Sequence, residues 1–220
     1  MLTLQLMVGL AVAAMAGVLD VERGTEAAGE SVGELRLGLS AALVYDILIV
    51  LLVAYLTGSR SPRELMRAVA FRAPDVPRIW ITALAVVAMY GFVAGYAAVA
   101  RSLGPDWLEP RSTIPDAITS DAVTLVLAGV LTCLVAPVVE ELFYRGLLTR
   151  GLLPWGAWPA VAVPAVIFSA VHLDPGSFLP FAVVGLVLGW LYWRRGALAD
   201  AVVFHFLFNS TSFVLLVATS

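Results

Sequence analysis

Charged residues are scarce in this chain of 220 residues: only 13% are charged, whereas 61% are hydrophobic. Soluble domains carry about 25% charged residues, so the composition excludes a soluble domain and indicates an integral membrane protein. All 13 basic residues are arginine, none is lysine, and the net charge is -3. Proteins that bind nucleic acid need a basic surface to neutralise phosphates, and the sequence has no such excess of basic residues.

Cysteine and histidine are also rare, with one cysteine, Cys133, and two histidines, His172 and His205. A single cysteine excludes an intrachain disulfide. Cys133 is disfavoured as a nucleophile because the sequence identifies no base that would activate its thiol. The candidates for function are therefore the few ionisable residues inside apolar segments, since a charge at membrane depth is costly and usually marks a functional site.

Long apolar runs are abundant. Crossing about 30 Å of hydrocarbon takes roughly 20 helical residues, and seven segments approach that length. They lack the alternation of barrel strands, so they are predicted to be helices. The predicted fold is all-α: one integral membrane domain over residues 1–220, a polytopic bundle of about seven (six to eight) transmembrane helices. The predicted spans are 2–19, read as a retained span rather than a signal peptide, 38–56, 79–100, 122–152, 157–173, 177–193 and 197–218.

The charges of the loops predict the orientation. The 57–78 loop holds five arginines against two acidic residues, whereas the 20–37 and 101–121 loops are acidic. The positive-inside rule places the 57–78 loop and the N-terminus in the cytoplasm. Within this basic loop, Ser61-Pro62-Arg63-Glu64 has the pattern of a capping box with proline at the first helical position. Two interpretations stay open for the loop: a short interfacial helix on the inner leaflet, or a solvated segment that only sets the topology.

Polar residues interrupt the fourth apolar segment directly after Pro137. Glu141 and Arg145 are four residues apart, which places them on one helix face with the acid first, the favourable order for an ion pair. Such a pair serves either helix packing or chemistry. Glu140 has no local partner, so it is the candidate general base. Pro137 removes one backbone hydrogen bond and is expected to distort the helix beside Glu140.

The two histidines supply the remaining polar groups. His172 lies near the end of a predicted span, where an interfacial role is the alternative to a functional one. His205 and Asn209 share one helix face, and polar contacts between helices are the alternative reading for them. At a rise of about 1.5 Å per residue, Glu140, His172, His205 and Asn209 fall within about 10 Å of one depth. The sequence therefore predicts that three helices bring these residues to one site.

The three motifs, taken in order, resemble those of the CPBP intramembrane proteases. They are Glu140-Glu141-Leu142-Phe143-Tyr144-Arg145, Phe168 to His172, and His205 to Asn209. The family comprises type II CAAX prenyl endopeptidases and their abortive-infection and bacteriocin-processing relatives. Each motif alone is weak, whereas three in this order and spacing are specific. The resemblance covers residues 120–215, the predicted motif-bearing catalytic core, and the first 115 residues carry no motif.

The resemblance implies an intramembrane endopeptidase that cleaves a peptide or protein substrate at the lipid bilayer. It implies that Glu140 takes a proton from the attacking water and that His172 helps to hold this water. His205 and Asn209 would stabilise the oxyanion, while Glu141 and Arg145 would support the other four residues. The resemblance further implies location in a bacterial inner (plasma) membrane.

Other functions and a metal cofactor are open alternatives. Glu140, His172 and His205 are ligand types of catalytic zinc. Their spacing is not that of a zincin helix, however, so no cofactor is favoured and zinc is the alternative.

A proton-coupled transporter would also place Glu, His and Arg at the midplane, although no paired inverted halves are evident. A non-catalytic immunity or scaffold protein on the same fold is the other alternative. No nucleic-acid partner is expected.

Overall fold

A computed structural model describes residues 32–74, 77, 79–112 and 114–219, and this part of the chain is helical without a strand. Five helices in it are long and apolar enough to cross a membrane, and a further apolar helix is shorter. We number the helices in chain order. They are α1 (Val32–Thr57), the short α2 (Pro62–Ala68), α3 (Ile79–Leu103), α4 (Ala122–Trp155), the shorter apolar α5 (Ala157–Ala170), α6 (Pro175–Arg195) and α7 (Leu198–Thr219).

The predicted all-α polytopic bundle is confirmed, and the chain is an integral membrane protein. Large apolar side chains such as those of Leu51, Trp80 and Val126 are more than half exposed on the outside of the bundle, where a membrane protein meets hydrocarbon. Six of the seven predicted spans coincide with helices, while the first, 2–19, lies outside the described residues.

The predicted span 157–173 is too long, because helix α5 ends at Ala170. Leu173 adopts a left-handed backbone conformation with φ of 52°, which an α-helix does not continue through. Asp174 then caps α6 by accepting hydrogen bonds from the backbone N–H groups of Gly176 and Ser177, with Pro175 in the first turn. His172 therefore lies in the turn between α5 and α6 rather than inside a span.

Helix α2 starts with the capping pattern read from the sequence. The Ser61 hydroxyl accepts the Glu64 N–H at 3.3 Å, and the Glu64 carboxylate accepts the N–H of Arg60 at 2.7 Å, one residue before the position that a standard capping box uses. The turn that follows α2 docks tightly on α4, because a Cβ atom at Gly146 would lie only 2.7 Å from Cβ of Val69. The 57–78 loop thus contains a helix whose end packs against the bundle.

Helix α4 departs from regular α-helical geometry on both sides of the glutamate pair. Wide π-helical turns at Leu131–Val135 and Leu142–Thr149 flank the α-helical stretch Ala136–Glu141. The Ala136 N–H bonds to the carbonyl of Leu131 instead of that of Thr132. Pro137, the next residue, has no N–H to offer. The Thr132 carbonyl therefore receives neither of the backbone donors that an α or π turn would supply, and it is available to a side chain.

Helices α5 and α6 approach each other closely at Gly185. A Cβ atom at this position would lie 2.8 Å from Cα of Ala165. Only a residue without a side chain allows this backbone contact. The approach also directs the Gly185 carbonyl towards α4, where it accepts a hydrogen bond from Arg145 at 3.0 Å.

Candidate active site

Glu141 forms the centre of a buried charged cluster. Its Oε1 atom accepts a hydrogen bond from Nη1 of Arg145 at 2.8 Å and lies 3.0 Å from Nδ1 of His205. The side chains of Glu141 and Arg145 are fully buried, and that of His205 is 4% exposed. The ion pair predicted from the spacing of Glu141 and Arg145 is therefore confirmed. The contact with His205 connects α4 to α7.

The ring of Phe168 fixes the positions of several of these groups. The Arg145 guanidinium lies 5.2 Å from the Phe168 ring centroid, at a distance that allows a cation–π contact. The same ring makes edge contacts with the imidazoles of His172 and His205, with centroid distances of 4.9 and 5.9 Å. Phe168 thus contacts two members of the charged cluster, Arg145 and His205, and also His172 beside the cluster.

Glu140 has a different environment from that of its neighbour Glu141. Its side chain is 30% exposed, and its Oε2 atom lies 3.8 Å from Nε2 of His205, beyond hydrogen-bond distance. This buried oxygen has no hydrogen-bond partner among the described residues. Successive residues of a helix point about 100° apart, which explains why one glutamate faces the buried cluster and the other faces a cleft.

The cleft beside Glu140 has a volume of about 100 Å³ and is also lined by His172, Tyr144, Tyr45 and Asp46. A water molecule needs at least about 10–15 Å³ of such space, so the cleft has room for several. Nδ1 of His172 lies 2.7 Å from the carbonyl of Phe168. A carbonyl only accepts, so Nδ1 carries the proton, and Nε2 of the neutral ring is free to accept a hydrogen bond.

Asn209 is held on the backbone of α4. Its Nδ2 donates to the Thr132 carbonyl at 3.0 Å, which satisfies the acceptor that the π turn and Pro137 leave without a backbone donor. Neither Asn209 nor His205 is among the residues that line the cleft. The structure thus places Glu140 and His172 at one cleft, joins Glu141, Arg145 and His205 in one buried cluster, and places Asn209 at the preceding π turn.

Asp46 on α1 is a candidate that the sequence analysis missed. It lines the same cleft as Glu140 and His172, and only 9% of its surface is exposed. The signal that identifies it was present in the sequence, since Asp46 is the only charged residue in the apolar segment 38–56. An isolated carboxylate at membrane depth is by itself an indication of function.

The described residues do not offer a ready metal site. No group of three His, Cys, Asp or Glu side chains among them is placed to hold a metal ion. Nδ1 of His205 is already engaged by Glu141, and its Nε2 faces Glu140 at 3.8 Å. Residue types that bind zinc are therefore present, but the described side chains are not placed so that they could coordinate one ion.

The chain matches a protein-family model over part of its length. Residues 122–211 match the family model described as type II CAAX prenyl endopeptidase Rce1-like. The matched range contains Glu140, His172, His205 and Asn209, and the match confirms the resemblance drawn from the three motifs. No curated protein and no solved structure matches the chain.

Proposed function

We propose that the chain hydrolyses a peptide bond inside the membrane with water activated by Glu140 and His172, on the premise that residues 122–211 match the Rce1-like family model of type II CAAX prenyl endopeptidases. The family supports a CAAX-type intramembrane protease in general. The observation that carries the specific proposal is the cleft in which Glu140 and His172 meet. A carboxylate and an imidazole acceptor at one cleft with room for water suit non-covalent acyl hydrolysis.

In the proposed reaction, the Glu140 carboxylate accepts a proton from water while Nε2 of His172 accepts a hydrogen bond from the second O–H group. The water oxygen then bonds to the scissile carbonyl carbon, whose oxygen becomes an oxyanion. Collapse of this intermediate breaks the carbon–nitrogen bond, and Glu140 returns its proton to the leaving amine. Glu140 ends the cycle as a carboxylate.

His205 and Asn209 are the proposed donors to the oxyanion. Nδ1 of His205 donates a hydrogen bond to Glu141. Nε2 can donate a second one to the oxyanion only when the imidazole carries a proton on both nitrogens. Two carboxylates, Glu140 and Glu141, then lie next to the positive ring. The Asn209 amide is anchored through one N–H group to Thr132, and its second N–H group is the proposed oxyanion donor.

We assign positioning roles to Glu141 and Arg145. The bond from Glu141 orients the His205 ring, and Arg145 balances the charge of Glu141 while tying it to the Gly185 carbonyl of α6. The proposed partners are a peptide or protein segment at the membrane and the lipid bilayer. The proposed chemistry uses no metal. Turnover should therefore survive chelation, whereas chelator-sensitive turnover that zinc restores would contradict this part of the proposal.

The first test is the substitution Glu140→Gln, which keeps the shape of the side chain and removes the base. Loss of a general base is expected to lower turnover by about 10²–10⁴-fold. The full chain, reconstituted in lipid vesicles, would be incubated with membrane peptides, and the products would be identified by mass spectrometry. Glu34→Gln, at an exposed position of α1, is the matched control. Wild-type turnover by Glu140→Gln on a defined peptide would end the proposal.

A further inference from the structure

Asp46 is a buried carboxylate without a partner in the described structure. It lies near the middle of α1 and is nine-tenths buried, with an exposed fraction of 9%. No side chain or backbone group of the described residues donates a hydrogen bond to it or forms an ion pair with it. A buried carboxylate is costly without a hydrogen-bonded or charged partner, so a ligand that supplies such a group would offset the cost.

Asp46 lies where two cavities adjoin. One is the cleft of Glu140 and His172, and the other is a groove of about 220 Å³ to which Asp46 and Val139 also contribute. The remaining residues of the groove are all apolar: Leu43, Ile47, Val50, Leu51 and Val135. Leu43, Ile47 and Leu51 are 42%, 51% and 59% exposed, so they face the hydrocarbon of the bilayer. The groove thus leads from the surrounding lipid, past Asp46, to the cleft that Glu140 lines.

The charges around this junction are unbalanced. Both Asp46 and Glu140 line the cleft, and no arginine is among its lining residues. The chain contains no lysine. The nearby Arg145 is fully buried and is already bound to Glu141 and the Gly185 carbonyl. Glu140 faces the His205 ring at 3.8 Å, whereas Asp46 has no ion-pair partner among the described residues, so a positive charge supplied by a ligand would pair with Asp46.

We propose that Asp46 is a specificity-determining residue that binds a lysine or arginine side chain of the substrate. This inference rests on the proposed peptidase function and names a substrate class for it: an apolar segment that carries one basic residue near the scissile bond. The apolar neighbours of that residue, and the methylene groups of its own side chain, occupy the groove. A backbone N–H group could satisfy one oxygen of Asp46, but it would leave the charge unbalanced.

The experiment uses synthetic apolar peptides of about 20 residues that differ at one central position, which carries lysine, arginine or norleucine. The basic position is moved stepwise along the peptide. Cleavage by the full chain in lipid vesicles gives kcat/KM for wild type, Asp46→Asn and the conservative variant Asp46→Glu. Asp106→Asn, in the loop after α3, is the matched control. Thermal melts verify that each variant is folded.

Wild type is expected to prefer the basic peptides by about 10-fold or more, as a close charge pair allows. Asp46→Asn should lose this preference, so that its kcat/KM values for the basic and norleucine peptides become equal; the ratio is the readout, because removing a carboxylate that shares the cleft with Glu140 also changes the absolute rate. Asp46→Glu should keep part of the preference. An equal loss on all peptides, or a wild type that does not discriminate, would overturn the inference.

A binding measurement separates this inference from the proposed function. In the Glu140→Gln background, fluorescent lysine and norleucine peptides are titrated with and without Asp46→Asn. Tighter binding of the lysine peptide that disappears with Asp46→Asn supports the role of Asp46, even if no peptide is ever cleaved and the hydrolytic function fails. Equal binding of both peptides by both proteins would overturn the role of Asp46 and leave the hydrolytic proposal standing.

Discussion

At the scale of single residues, two adjacent glutamates have different structural roles. Glu141 is fully buried and is bound on two sides, by Arg145 and His205. Glu140 faces the cleft, and its Oε2 atom has no hydrogen-bond partner within the described residues. We therefore expect a substitution of Glu141 to lower mainly the stability of the protein. A substitution of Glu140 should lower mainly the rate of the reaction.

We predict that Glu141→Gln and Arg145→Ala each lower the melting temperature strongly. Removing one member of a buried ion pair leaves an uncompensated charge, at a cost of about 3–5 kcal/mol. The double variant should recover part of this loss. Thermal unfolding of the four proteins in one detergent measures the effect. If both single variants melt like wild type and yet lose activity, the pair takes part in the chemistry rather than in folding.

Asn209→Ala should affect both stability and catalysis. The partly buried Thr132 carbonyl would lose the donor that replaces its missing backbone bond, and an unsatisfied acceptor costs up to about 1–3 kcal/mol when it is fully buried. Loss of one oxyanion donor should also lower kcat by about 10²–10³-fold with little change in KM. Melting curves and steady-state kinetics separate the two effects. A variant that loses stability but keeps kcat would show that Asn209 is structural only.

At the scale of helices, α4 is shaped for the site by its two π turns. The turn at Leu131–Val135 and Pro137 together leave the Thr132 carbonyl to Asn209, and so tie α4 to α7. Single π turns inside α-helices frequently occur at functional sites. The close contact of α5 with α6 has a similar consequence, because it brings the Gly185 carbonyl to Arg145.

The contact between α5 and α6 yields a prediction with a matched control. Gly185→Ala places a methyl group 2.8 Å from Cα of Ala165. Overpacking of this kind costs about 1–3 kcal/mol, so the melting temperature should fall. Gly91→Ala on α3 meets nothing within 4 Å and should be neutral or slightly stabilising, because alanine favours helix over glycine by up to about 1 kcal/mol. Equal melting temperatures for the two variants would contradict the close packing at Gly185.

At the scale of the whole molecule, ion pairs connect the helices at both ends of the bundle. Arg36 near the start of α1 binds Asp121, which directly precedes α4, at 2.8 Å. Arg195 at the end of α6 binds Asp200 in the first turn of α7 at 3.1 Å. The first pair also caps α4, since Asp121 accepts the backbone N–H and the hydroxyl of Thr124.

The Arg36–Asp121 contact makes stability depend on pH. The hydrogen bond from Arg36, followed by those from Thr124, holds the pKa of Asp121 well below its usual range. A lowered folded-state pKa stabilises the protein at pH values above the unfolded pKa of about 3.9, and this contribution is lost as the pH falls further. Asp121→Asn keeps a cap oxygen and removes the charge. Its melting temperature should lie below that of wild type at pH 7, and the difference should shrink below about pH 4. A difference independent of pH would contradict this role.

The sequence alone determined which six apolar segments of the described region form helices, while it left the short helix α2 open. Hydropathy acts locally: an apolar run of sufficient length is helical wherever it lies, because lipid offers its backbone no hydrogen bonds. The Glu141–Arg145 pair and the capping of α2 were predictable for the same reason, since their partners are three or four residues apart. The end of α5 was not predicted, because the capping of α6 by Asp174 ends the previous apolar run early.

Only the tertiary structure decided how distant residues meet. The bond between Asn209 and Thr132 joins residues 77 positions apart, and that between His205 and Glu141 joins residues 64 positions apart. Asp46 reaches the cleft of Glu140 because α1 packs against α4, outside the range of any motif. The direction of each glutamate, and the π turns that free the Thr132 carbonyl, depend on how neighbouring helices pack. Hydropathy and spacing along one helix contain no information about this packing.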